Sequence, residues 1–259
     1  MTENSDAPPL HFPGGYRLEQ VRLIPSTSDA CVARARQGEA DGLAILAEEQ
    51  SAARGSRGRS WSAPPGNLYL SVLIRPRNAA EAEGAGQWAL LAGLAFVEAL
   101  SGFDAEPVLL RVKWPNDVLR DGAKLGGVLV DAEMGQAGLD WLVIGVGANL
   151  AVAPVVEGRR TAAILSCNGV PPAPRDVAIE FLLRIAYWRD RLGISGFAPV
   201  RQAWLERAHP AGTPVTVRDA SGTREGLFAG LSERGELLLS VGDDLRAIST
   251  GDVLLGQGE

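Results

Sequence analysis

Lys113, Asn116, Asp117 and Lys124 bring charge and an amide into a stretch otherwise built of strand-forming apolar residues, from Arg111-Val112-Lys113-Trp114 to Gly127-Val128-Leu129-Val130. Between Asp117 and Lys124 lies Asp121-Gly122, a dipeptide that favours the tight turn of a β-hairpin. The two charges should therefore face each other across paired strands, either as a plain cross-strand ion pair or as groups placed to act on a substrate. Upstream, Arg54, Arg57 and Arg59 fall within six residues, interleaved with Gly55, Ser56 and Gly58. Backbone amides and guanidinium forks in that arrangement can wrap phosphate oxygens together. The segment also reads as a solvated loop, or as an arginine/glycine stretch that contacts RNA. Ser26, Thr27, Ser28 and Gln50 offer groups that both donate and accept hydrogen bonds, although Ser or Thr ahead of a helix also serves as a cap.

These groups must be positioned by regular elements, and the sequence marks them. Ser26-Thr27-Ser28-Asp29 ahead of an Ala-rich segment, with Gly38 as a stop, predicts a first helix near residues 28–37. Strands are expected over 42–48, 67–74, 108–112 and 141–149, with the hairpin around Gly122 between the last two. Apolar residues at helical spacing (Trp88, Leu91, Leu94, Ala95) predict an amphipathic helix over 84–100, closed by Gly102. Pro171, Pro172 and Pro174 introduce a helix over 175–192, and a shorter one covers 199–207. From Gly212 the texture changes to short apolar runs punctuated by Gly222, Gly235 and Gly242. A small β domain therefore begins near residue 210. Residues 1–20, polar and carrying Pro8, Pro9, Pro13 and two adjacent glycines, read as a loose tail.

Composition narrows the classes. The chain has 259 residues, 46% hydrophobic and 22% charged, as in ordinary soluble globular proteins. A net charge of -6 argues against a chain built mainly to neutralise nucleic-acid phosphates. Two cysteines, Cys31 and Cys167, make no disulfide framework and point to the reducing cytoplasm. No secretory signal is visible, and the most apolar run, 141–156, is too short and too interrupted by glycine to span a membrane.

Three blocks, in order, resemble the biotin protein ligase family. Gln50-Ser51-Ala52-Ala53-Arg54-Gly55-Ser56-Arg57-Gly58-Arg59-Ser60-Trp61 is similar to its glycine/arginine loop. Lys113-Trp114-Pro115-Asn116-Asp117 with Lys124-Leu125-Gly126-Gly127-Val128-Leu129-Val130 is similar to its central signature. Ile144-Gly145-Val146-Gly147-Ala148-Asn149 is similar to its glycine-rich strand. The resemblance covers most of the chain. It implies an α/β (α+β) fold: a mixed-sheet biotin/lipoyl-ligase-like catalytic domain over 21–209 and a small SH3-like β-barrel over 210–259.

It also implies a cytoplasmic, ATP- and magnesium-dependent ligase that forms biotinyl-AMP and transfers biotin to a lysine of a carboxyl carrier protein. Lys124, Arg54 and Asp117 match the catalytic positions. Ser26, Thr27, Ser28, Gln50, Arg54, Gly55, Ser56, Lys124, Gly127 and Leu129 match the biotin site. Arg54, Arg57, Arg59, Trp61, Asn116, Lys124 and Asn149 match the ATP site, and no metal ligands are indicated. Asp117 either orients Lys124 or deprotonates the incoming lysine. The glycine loop is expected to be mobile when empty, its arginines having no anion. The chain departs from the family at Ala53 (glycine), Ser28 (asparagine) and Ser56 (arginine), the last removing a cation. Only about 20 residues precede the first match, so the short form without a DNA-binding domain is expected, and with it no DNA partner. A homodimer is left open. The alternatives are lipoate attachment by a related fold and a biotin sensor without transfer.

Overall fold

The computed structural model describes residues 3–4, 9–136, 138–219 and 222–255. The chain opens with strands β1 (Glu3–Asn4), β2 (Leu10–Phe12) and β3 (Tyr16–Ile24). The loose tail read over 1–20 is therefore corrected for residues 10–20. Tyr16 and Leu18 are buried on one side of β3 and Val21 in the other core cluster, so burial of these apolar side chains outweighs the proline and glycine content.

Helix α1 (Thr27–Arg36) crosses from β3 to its parallel neighbour β4 (Leu43–Gln50). Strand β5 (Leu68–Ile74) is buried at every position and sits inside the sheet. Helix α2 (Ala85–Ser101) leads to β6 (Leu110–Lys113), β7 (Asp117–Arg120), β8 (Ala123–Gly135) and β9 (Gly138–Ala148), all paired antiparallel. The order across the sheet is β1-β3-β4-β5-β9-β8-β7-β6, with β2 paired to β3.

This sheet has two buried faces, and the period-2 alternation of its strands assigns each residue to one of them. Leu68, Leu70, Val72 and Ile74 face α2 and the long helix α3 (Pro174–Ser195). Tyr69 and Leu73, with Val143 of β9, face α1. Under α3 the fully buried Arg189 is held by Glu81 (2.9 Å), Asp41 (2.8 Å) and the Arg75 carbonyl (2.6 Å).

After α4 (Ala198–Arg207) come five antiparallel strands, β10 (Pro214–Asp219), β11 (Gly222–Leu231), β12 (Leu237–Val241), β13 (Asp244–Ile248) and β14 (Asp252–Leu255). Their order is β13-β12-β11-β10-β14, an open path and not a closed ring among the described residues. The second sheet packs on the first unit through Trp114, whose indole N–H donates to the Gly235 carbonyl at 3.1 Å. No helix among the described residues is long and apolar enough to cross a membrane.

Candidate active site

The site lies on the α1 face of the large sheet, where the alternation that builds the core is interrupted. Between Tyr69 and Leu73, β5 presents the buried hydroxyl of Ser71; beyond Val143, β9 presents Gly145 and then Gly147. Lost side-chain volume and one hydroxyl replace apolar packing. The result is a cavity of about 330 Å³.

One end is lined with hydroxyl and amide groups. Ser26 caps α1, its Oγ accepting from the Asp29 N–H at 3.2 Å. Thr27 N–H donates to Gln50 Oε1 at 2.7 Å, and the hydroxyls of Thr27 and Ser28 lie 2.8 and 3.0 Å from Ser71 Oγ. Ser26, Thr27, Ser28 and Ser71 are all buried. Ser26 therefore caps the helix and also lines the cavity. A Cβ at Gly145 would lie 2.5 Å from Ser28 Oγ, so only glycine leaves this network intact. Gly127 and Leu129 complete the wall. A Cβ at Gly127 meets nothing closer than 3.4 Å, which makes Gly145 the position of close approach instead.

In the middle stands the charge pair. Asp121 (φ 48°) and Gly122 (φ 72°) both adopt left-handed backbone, the requirement of a type I′ hairpin turn. A bulge between Val118 and Leu119 then sets Lys124 against Asp117, and Lys124 Nζ donates to Asp117 Oδ1. Lys113 Nζ approaches the other oxygen at 3.4 Å. Burial alone would raise the Asp117 carboxyl, but the ammonium groups of Lys124 and Lys113 outweigh it and hold the carboxyl below its ordinary value.

The other end is aromatic. Lys124 Nζ lies 5.4 Å from the Trp61 ring centroid, and a Cβ at Gly147 would come 3.1 Å from Trp61 Nε1, so the ring lies close over Gly147. Trp61 is partly exposed and packs against the edge of the α1-side core. Asn149 is buried; its amide N–H₂ donates to the Ala162 carbonyl at 3.0 Å, while Oδ1 has no hydrogen-bond partner among the described residues. Asn116 lines the wall and donates to the Val128 carbonyl at 2.6 Å.

The glycine/arginine loop spans both ends, and its cations are paired, contrary to expectation. Arg54 binds Asp29 (2.9 Å) and Asp131 (2.6 Å). Arg57 and Arg59 both reach Asp252 at the start of β14, Arg59 at 3.5 Å. Arg57 does not line the cavity; the other expected positions do, Gly55 and Ser56 among them. Ser56 Oγ accepts from Arg59 at 3.1 Å. Each of these ion pairs is more than one-third exposed on at least one side, so each contributes about 0.2–1 kcal/mol. A phosphate offering several charged hydrogen bonds, about 1.5–3 kcal/mol each, can displace such a carboxylate.

Ser71, Gly145 and Asn67 shape the site although the sequence assigned none of them a role, Gly145 standing only as part of the glycine-rich strand. Asn67 Oδ1 accepts from the N–H groups of Leu150, Ala151 and Val152 at 3.0–3.1 Å and fixes the exit of β9. The alternation across β5 could have singled out Ser71, the one small polar residue among the large side chains of that strand.

The biotin/lipoate A/B protein ligase family model matches residues 21–149, and the biotin protein ligase C terminal domain matches 212–256. A biotin–[acetyl-CoA-carboxylase] ligase of Paracoccus denitrificans is 35% identical over 217 residues, covering 82% of this chain and 90% of that protein. The chain belongs to the biotin protein ligase family. A second ligase of that name, from Mycobacterium tuberculosis, is 31% identical over 93% of the chain and 90% of its own length. Among solved structures, the Aquifex aeolicus biotin protein ligase in complex with biotin and ATP superposes with a TM-score of 0.76 at 26% identity, covering 93% of this chain and 99% of that one. In this family member, then, the hydroxyl end, the Lys124–Asp117 pair and the Trp61–Asn149 end share one cavity.

Proposed function

We propose that the chain joins biotin to ATP as biotinyl-5′-AMP, releasing pyrophosphate, and then transfers biotin to a lysine of a biotin carboxyl carrier protein. The observation that carries this reading is the position of Lys124. It stands between a hydroxyl-lined end suited to a neutral ring that both donates and accepts, and an aromatic end with an unpartnered amide oxygen. Biotin's ureido ring fits the first end. Adenine fits the second, stacking on Trp61 and donating its amino group to Asn149 Oδ1.

Two anions must meet before they can react, a carboxylate and the α-phosphate. Lys124 bridges them and Arg54, released from Asp29 and Asp131, adds a second cation. A carboxylate oxygen bonds to the α-phosphorus and the bond to the pyrophosphate oxygen breaks. In the second step the carrier's neutral lysine amine bonds to the acyl carbon, the acyl–oxygen bond breaks with its electron pair going to AMP, and the amine's surplus proton passes to the departing phosphate or to water. Asp117 is ionised and paired with two lysines, so orienting Lys124 suits it better than accepting a proton.

Among the described residues no three His, Cys, Asp or Glu form a cluster able to hold a metal. Magnesium bound to the phosphates of ATP would enter with the nucleotide and neutralise part of their charge. We assign the catalytic unit to 21–209 and the second unit to 210–259, and place the reaction in the cytoplasm. The test is the mass of a carrier domain incubated with the protein, MgATP and either biotin or lipoate. A carrier gaining one biotinyl group, and none with lipoate, supports the reading; adenylate formed without transfer would leave a sensor, and lipoyl transfer would give the other branch.

A further inference from the structure

Four cations line the cavity: Arg54, Arg59, Lys124 and Arg159. Three are matched by carboxylates, Arg54 by Asp29 and Asp131, Arg59 by Asp252, and Lys124 by Asp117. Arg159 makes no ion pair and no side-chain hydrogen bond among the described residues. It is half-buried, on the strap that links β9 to α3.

The strap places it. The Lys124 N–H donates to the Arg160 carbonyl and the Ala162 N–H to the Lys124 carbonyl, both at 2.9 Å, so Thr161 runs parallel beside Lys124. In an extended segment side chains alternate. Arg159 and Thr161 share the face that lines the cavity, whereas Arg160 turns toward the hairpin, its Nη1 3.9 Å from where a Cβ on Gly122 would be. The turn ahead of Arg159 is closed by the Val156–Arg159 bridge and by Thr161 Oγ1 donating to the Pro154 carbonyl at 2.7 Å. Asn149 is tied to the same strap through Ala162. Arg159 thus lines the cavity from the strap that holds Asn149, at the proposed nucleotide end.

We propose that Arg159 binds the β- and γ-phosphates of ATP and stabilises the charge gathered on pyrophosphate as it leaves. The assignment rests on the biotinyl-AMP reading above. When the biotin carboxylate bonds to the α-phosphorus, the electron pair of the breaking bond goes to the pyrophosphate oxygen, with no oxidant and no added co-reactant. An unneutralised guanidinium at that end gains the most from this shift, because its planar fork matches two phosphate oxygens and it gives up no internal carboxylate to bind them.

Pyrophosphate takes part only in the first half-reaction, and this separates a phosphate ligand from a structural strap residue. The experiment measures biotin-dependent exchange of labelled pyrophosphate into ATP, and transfer from prepared biotinyl-AMP to a carrier domain, in wild type, Arg159→Ala and Arg159→Lys. Arg159→Ala is expected to lower kcat/KM for ATP exchange by about ten- to a hundredfold while leaving transfer within about twofold. Arg159→Lys should recover part of the loss. Exchange at the wild-type rate in Arg159→Ala, or equal losses in both half-reactions, would overturn the proposal. Absence of exchange in the wild-type protein would instead remove the ligase reading on which it stands.

Discussion

Asp117 decides the charge balance at the centre of the site. Its replacement in Asp117→Asn removes the one carboxylate that Lys113 and Lys124 share in a partly buried place. Breaking such a pair costs about 3–5 kcal/mol when fully buried, so a loss at the lower end, about 3 kcal/mol, is expected in urea unfolding. Adenylation should fall as well, because Lys124 loses its orientation. The pH dependence follows from the carboxyl lying lower in the folded protein than its ordinary value of 3.8. The pair's contribution is complete above about pH 4 and is lost as the pH falls through the lower, folded value. Unfolding midpoints measured between pH 2 and 6 should show this acid loss in wild type and a smaller one in Asp117→Asn. Lys124→Ala should keep the fold and lose adenylate formation by about a hundredfold or more, read as pyrophosphate release. At Ser56 the missing family arginine gives a further expectation. Ser56→Arg should slow release of labelled biotinyl-AMP by about ten- to a hundredfold. Equal release rates would show that Arg59, already bonded to Ser56 Oγ, serves in its place. At this scale the sequence was readable wherever chemistry needs a particular side chain at a short spacing, as in Asp117 and Lys124.

At the scale of elements, the hairpin was legible because its requirement is local: two successive left-handed residues, met by Asp121-Gly122. Ser71 and Gly145 were not, because their meaning depends on which residues α1 lays over β5 and β9. Gly145→Ala puts a methyl group 2.5 Å from Ser28 Oγ and must displace that hydroxyl from Ser71. The expected result is a raised KM for biotin with KM for ATP little changed. An unaltered KM for biotin would show that the hydroxyl network does not touch the ring. Arg189 belongs to the same scale, since it ties α3 to Glu81 and Asp41 beneath the sheet. Arg189→Ala leaves Glu81 fully buried without its principal cation. Thermal or urea unfolding should register a loss of about 3–5 kcal/mol, whereas a change near zero would mean that Arg77, 3.0 Å from Glu81, suffices alone.

Across the whole molecule, the contact least visible in the sequence joins Arg57 and Arg59 to Asp252, 193 residues away from Arg59. No local pattern encodes it. It sets a carboxylate of the second sheet on the loop that covers the cavity, so Asp252→Asn should free the loop and speed its cleavage in limited proteolysis of the ligand-free protein. Equal cleavage rates would show that Arg54 alone holds the loop. The N-terminal strands are hard to see for a different reason: Pro8, Pro9, Pro13 and two glycines precede Tyr16–Ile24, whose buried positions follow no strict alternation. The architecture that results brings one hydroxyl-lined end, one aromatic end and Lys124 into a single cavity. Its most direct test is exchange of labelled pyrophosphate into ATP, which needs no carrier. The account predicts exchange with biotin present, none without biotin and none in Lys124→Ala; exchange that ignores biotin, or persists without Lys124, would contradict it.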